Sequence, residues 1–132
     1  MSKYLAYPDM TFKDRRLLVA ALADLGYTKV EEGTALPLYG YEGQRRPETA
    51  EIVVRRRHVG RLSNDIGFVH TPDGYLPVVS EFDQRTLHGG QFLVKLRTAY
   101  SEQVVEEIRR RFHGTAHRIT QGSLIKIKVR YA

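Results

Sequence analysis

The chain of 132 residues has no cysteine and no tryptophan. Without cysteine there is no disulfide, no thiolate zinc site and no cysteine nucleophile, which agrees with a reducing compartment. No apolar run approaches the roughly 20 residues of a membrane-spanning helix. The start, Met1-Ser2-Lys3-Tyr4, lacks the basic-then-apolar pattern of a secretion signal. A cytoplasmic, bacterial-type protein is therefore expected. Nucleophile elbows of the Gly-x-Ser-x-Gly kind and Walker-type phosphate loops are also missing. No cofactor is implied.

What is present bounds the class. The length suits a single domain over 1–132, and a hydrophobic share of 42% is adequate for one packed core. Lysine and arginine total 21 against 15 acidic residues, giving a net charge of +6. That surplus attracts polyanions, although many small proteins are as basic without binding any.

Residues 64–83 organise the rest. Two strand-like runs flank Thr71-Pro72-Asp73-Gly74. Pro72 fixes the φ wanted at the second position of a type I turn, and Asp73 suits the third. Gly74 can adopt the left-handed conformation that closes the turn on a bulge. Ile66, Phe68, Val69, Tyr75, Val78, Val79 and Phe82 give the arms apolar mass to seed a sheet. Pro77 cannot donate to a ladder, so its arm is expected to be an edge strand or bulged.

Elsewhere, Lys3–Tyr7 reads as a short strand stopped by Pro8. A helix is expected over 12–25, opened by a capping box of Thr11 and Asp14. Leu18, Ala21, Leu22 and Leu25 form its buried stripe, and Gly26 ends it with Tyr27 packing back on Leu22. Residues 28–50, rich in glycine and proline, read as loop with short strands near 28–30 and 38–41. Ala50–His58 alternates apolar and charged residues as a strand does. A long helix follows over 91–113, and a hairpin closes the chain. In its return arm Ile125, Ile127, Val129 and Tyr131 alternate with Lys126, Lys128 and Arg130.

The order β-α-β-β-β-β-α-β-β predicts an α+β two-layer sandwich. A mostly antiparallel curved sheet would carry two helices on one face, as in TATA-binding-protein-like or helix-grip arrangements, with a ferredoxin-like order as the alternative.

Asp65-Ile66-Gly67-Phe68, Gly74-Tyr75 and the arm Val78-Val79-Ser80-Glu81-Phe82-Asp83 resemble the signature of an uncharacterised family, a domain of unknown function. That family includes a hypothetical plastid reading-frame protein of algae and its cyanobacterial relatives. Leu25-Gly26-Tyr27, the Gly40–Gln44 loop, Ala50–Val54, Tyr100 and the closing strand extend the likeness over nearly the whole chain. The tryptophan usual after the acidic arm is absent, and Gln84–His88 holds Arg85 and Leu87 instead. The resemblance implies a fold and no activity.

Two groups of side chains are candidates for function. Asp65, Glu81 and Asp83 form an acidic cluster at the open end of the 64–83 hairpin. Paired carboxylates can split their pKa values for acid–base work or bind a cation, but solvated rim residues are the commoner outcome. Arg55, Arg57, Lys126, Lys128 and Arg130 would share a basic, outward sheet face if their strands are neighbours, and such a face can follow a phosphate backbone. His113 and His117 have a metal-like spacing that Gly114 interrupts, so no metal site is assigned. No catalytic constellation stands out, and enzymatic activity is not favoured. The expected function is a non-catalytic interaction module or accessory subunit that binds a protein partner through its sheet face or edge. The alternatives are a basic nucleic-acid-binding domain and a small enzyme or ligand-binding domain using the acidic cluster.

Overall fold

The computed structural model describes residues 2–112 with their side chains and, beyond them, the backbone of 115–121 and 124–130. In chain order the elements are β1 (Tyr4–Ala6), α1 (Arg15–Asp24), β2 (Glu31–Tyr39), β3 (Arg45–Val54), β4 (Ile66–Thr71), β5 (Gly74–Ser80), α2 (Glu81–Thr86), α3 (Phe92–Phe112), β6 (Thr115–Gln121) and β7 (Leu124–Arg130). The first five strands form one open antiparallel sheet in the order β1-β5-β4-β3-β2. This is the expected α+β sandwich, with α2 as an additional short helix.

The Pro72-Asp73 turn forms where the sequence places it, with Thr71 opposite Gly74. Gly74 has a φ of +130°, and a Cβ there would lie 2.9 Å from the Phe12 carbonyl oxygen. Phe12 comes so close because it exchanges both backbone hydrogen bonds with Tyr75, each 2.8 Å. The capping box expected at Thr11 is therefore corrected. Phe12 belongs to the sheet margin, and α1 begins at Arg15, where Asp14 accepts from the Leu17 N–H at 3.1 Å. The far end is as expected. Tyr27 N bonds Leu22 O and Gly26 N bonds Ala23 O, both at 2.9 Å, with Gly26 at positive φ.

Leu18 and Leu22 of α1 and Phe92 and Leu96 of α3 pack on Ile52, Val54, Ile66, Phe68 and Val79 of the sheet. Phe12 stands edge-on to both Phe68 and Tyr100, at 6.2 and 5.1 Å between centroids. Burying one such aromatic stabilises the fold by roughly 1.5–3 kcal/mol.

β5 lies between β1 and β4, but β1 pairs only with Val78–Ser80, so the arm is at the sheet edge at Pro77 as expected. Pro77 is tolerated because β1 has ended by then: Tyr7 donates to Pro77 O at 3.0 Å, and the return bond is the one proline lacks. Several expectations change. Residues 28–50 are not mainly loop. They build the long β2–β3 hairpin, whose register slips between Glu32 and Leu36, with Ala35 at φ +50°. Beyond this bulge Leu38 and Ala50 lie over Gly67, on the face away from α1 and α3. There they join Tyr4, Val53 and Val78 in a second, smaller core. That face is thus substantially apolar and covered. The strand expected over 50–58 stops at Val54, and Arg56–His58 form a 3₁₀ turn. β6 and β7 pair with each other in a separate ladder and do not extend the five-stranded sheet. Among the described residues no helix is long and apolar enough to cross a membrane.

Candidate functional site

Asn64 and Asp65 enter β4 buried, and the chain converges on them. Asp65 is 1% exposed. Its Oδ1 accepts from the Arg56 N–H at 2.7 Å, and its Oδ2 accepts from the Tyr39 N–H and Arg55 Nη1, both at 2.8 Å. Its carbonyl accepts from the Tyr4 hydroxyl at 2.6 Å. Arg55 donates further to Pro37 O at 2.7 Å and, through Nε and Nη2, to Glu31 at 2.8 and 3.1 Å. One guanidinium therefore ties together β2, β3 and the start of β4. The hydrogen bond to Glu31, then the bond to Asp65, holds the Arg55 proton more tightly than usual. The same hydrogen bond holds Glu31 below the usual carboxylate range. Burial, followed by the charges of Asp65 and Asp83, pushes the Tyr4 phenol up.

A second network adjoins the first through Asn64. Ser80 caps α2, its Oγ accepting from the Asp83 N–H at 3.1 Å and donating to Asp83 Oδ2 at 2.9 Å. Asn64 N–H also reaches Asp83 Oδ2 at 2.9 Å, and Asn64 Nδ2 donates to Ser80 Oγ at 2.9 Å. Asn64 Oδ1 accepts from the Tyr41 N–H at 3.0 Å, fixing the tip of the β2–β3 hairpin. Asp83 is fully buried, and its Oδ1 has no hydrogen-bond partner among the described residues.

Above Asn64 opens a hollow of about 460 Å³. Lys3, Tyr41, Leu62, Glu81, Phe82 and Arg85 surround it. Tyr41 is 40% and Leu62 63% exposed, which makes two large apolar side chains at one mouth.

The expected acidic cluster is only partly assembled. Asp65 and Asp83 meet through Asn64, but both serve as internal acceptors, while Glu81 is exposed on the hollow's rim. Asp83 belongs to α2 and not to the strand arm. Of the basic set, Arg55 is engaged by carboxylates and only 14% exposed at its side chain, whereas Arg57 is exposed on the 3₁₀ turn. The side chains of Lys126, Lys128 and Arg130 lie outside the described residues. Their strand, β7, is not in the sheet that leads to Arg55, so the shared sheet face is not formed by strand neighbours. The His113 and His117 side chains also lie outside the described residues. Among the described residues no group of three histidine or acidic side chains is placed to hold a metal ion.

Sequence reasoning missed Lys3, Leu62 and Arg85, which only the fold brings beside Tyr41. It also passed over Arg56, His58 and Arg61. The run Arg55-Arg56-Arg57-His58 is the available signal, but it continues the segment from Ala50 whose alternation predicts a strand.

Fold and site together define an α+β domain built round a buried polar network at one end of an open sheet. The chain belongs to the family described as a protein of unknown function, DUF1257, whose model matches residues 21–123. This agrees with the uncharacterised family expected from residues 64–83. No curated protein and no solved structure matches the chain.

Proposed function

We propose that the protein is a non-catalytic interaction module that receives a protein partner at the hollow above Asn64. One observation carries this reading: Tyr41 and Leu62, two of the five exposed large apolar residues described, converge on that hollow. Exposed apolar side chains grouped at a concave site, with charges at its rim, are what a partner's aliphatic or aromatic side chain needs as a receptor. Lys3 and Arg85 flank the opening and favour a partner segment that carries a carboxylate next to its apolar anchor. The buried networks hold the floor still, so little ordering cost is left for binding. An enzymatic reading has less support, because Asp65 spends both carboxylate oxygens on the chain itself and Asp83, fully buried, spends its Oδ2 there.

The test is affinity purification from native cells with wild type, Leu62→Glu and Tyr41→Ala. A stoichiometric partner held by wild type and lost by both variants is the expected result. A partner retained by both variants, or none recovered by wild type, overturns the proposal.

A further inference from the structure

The connection between β3 and β4 carries a feature that the hollow does not use. Residues 55–61 read Arg-Arg-Arg-His-Val-Gly-Arg. Buried Asp65 anchors this segment through Arg55 Nη1 and the Arg56 N–H. The Arg56 guanidinium then donates to Ser63 O at 3.0 Å and Arg61 O at 2.9 Å. His58 N bonds Arg55 O at 2.8 Å, and Val59 N and Gly60 N bond Arg56 O at 3.0 Å. Two arginines are thus spent on holding the turn. What it presents to solvent is Arg57, His58 and Arg61.

Lys29 borders the same region, across an adjoining hollow that it shares with Arg57 and His58. The carboxylate at that border, Glu31, is already gripped by Arg55. Among the described residues, Arg57, Arg61 and Lys29 form no ion pair. Exposed cations thus stand on a braced backbone, Arg57 partly offset by the nearby charge of Glu31, in a chain whose net charge of +6 has the same sign.

We propose that this turn, with Lys29, contacts the phosphate backbone of a nucleic acid. The open hollow beneath the turn is lined only by residues 56–61, with Val59 as its one apolar side chain and the His58 imidazole, which lies 3.2 Å from Arg57 Nε through Nε2, as its one ring. Arginines outnumber every other side chain there and no large apolar anchor stands beside them, which suits a ligand held mainly by charge, as a phosphate backbone is gripped without base reading. An acidic protein would want an apolar anchor beside the charges, and the exposed apolar residues Tyr41 and Leu62 gather at the other hollow instead. Because the backbone of the turn is already held, Arg57 and Arg61 project from a fixed frame and only their side chains remain to be ordered by the ligand.

The experiment titrates the full chain with a labelled oligonucleotide, single-stranded and duplex, between about 50 and about 200 mM salt. The variants are Arg57→Glu with Arg61→Glu, and Lys29→Glu alone, which lies outside the turn and guards against a fold effect. The double variant is expected to weaken binding at low salt by about tenfold or more. The slope of log affinity on log salt should shrink by about one for each charge removed. Tyr41→Ala should leave affinity within about twofold, since that site is separate. The proposal is overturned if wild type does not bind, or if the reversed chains bind with the wild-type slope. It is also overturned if binding is lost only in Lys126→Ala/Lys128→Ala/Arg130→Ala. Competition by poly-glutamate as effective as by oligonucleotide would assign the turn to an acidic protein instead.

Discussion

Two aspartates, Asp65 and Asp83, are buried within one short stretch of chain, and they are buried on different terms. Asp65 uses both oxygens, faces a guanidinium, and accepts from two backbone N–H groups. Asp83 gathers its donors on Oδ2 alone, faces no cation among the described residues, and leaves Oδ1 without a partner. A buried carboxylate is tolerated when its lone pairs and charge are met, and is costly to the extent that they are not. Asp65 is therefore a strut that joins three strands and the arginine turn. Asp83 is a helix cap drawn inward by Ser80 and Asn64.

Amide substitution separates the two most sharply. Asp65→Asn puts an NH₂ group against an N–H or guanidinium donor at a buried site and leaves Arg55 with Glu31 as its carboxylate partner. It is expected to cost ~3–5 kcal/mol of unfolding free energy by urea titration. Asp83→Asn can keep its oxygen at the Oδ2 position and removes a buried charge that has no cation beside it. A change within ~1 kcal/mol is expected. Equal losses at the two sites would refute the distinction.

The Asp65 side also depends on the bent hairpin that delivers the Tyr39 N–H. A Cβ at Gly67 would stand 2.8 Å from Ala50 Cβ and 3.1 Å from Leu38. Gly67→Ala should therefore push the hairpin off the sheet and cost ~1–3 kcal/mol. Adding Ala50→Gly should recover part of that loss, because it vacates the closest contact. A Gly67→Ala chain as stable as wild type would mean that the hairpin tip yields freely.

The parts of this arrangement that local chemistry dictates could be read from residues alone. Pro72-Asp73 before Gly74 specifies a hairpin by backbone geometry, and Leu18, Ala21 and Leu22 mark a buried helix face by their period. The β2–β3 hairpin was hidden because Gly33, Pro37, Gly40 and Gly43 carry loop signals, and its stability comes from a bulge and from docking on Gly67, both long-range. Asp65 and Asp83 stood out as acids, but their partners Tyr39, Arg56 and Asn64 meet them largely through backbone N–H groups, which no residue pattern encodes. Arg55 looked like an exposed charge in an alternating strand. Its burial follows from where Glu31 and Asp65 fall after folding, so the basic surface shifted to Arg57 and Arg61.

The smallest expected effect probes the surroundings of Asp83 by pH. Burial, then the Asp83 charge, pushes the Tyr27 phenol up, and its hydroxyl lies 2.9 Å from His88 Nε2. Burial, then Lys95, holds His88 below the usual imidazole value, while Phe92 stacks on its ring. A phenol kept protonated beside an imidazole kept neutral pairs with the hydroxyl donating to Nε2. The folded pKa of His88 is depressed, so the unfolded chain takes up its proton first. Stability from this contact is complete above the unfolded value of ~6.5 and declines as pH falls below it. The ring is half-buried and partly screened by solvent, so the loss should stay under ~1 kcal/mol. His88→Asn keeps a residue that tolerates the positive φ of +52° found there and removes the titration. The difference in stability between wild type and His88→Asn should therefore narrow as pH drops from about 7.5 to about 5.5. A difference that stays constant over that range would show that the Tyr27–His88 contact does not depend on a neutral ring.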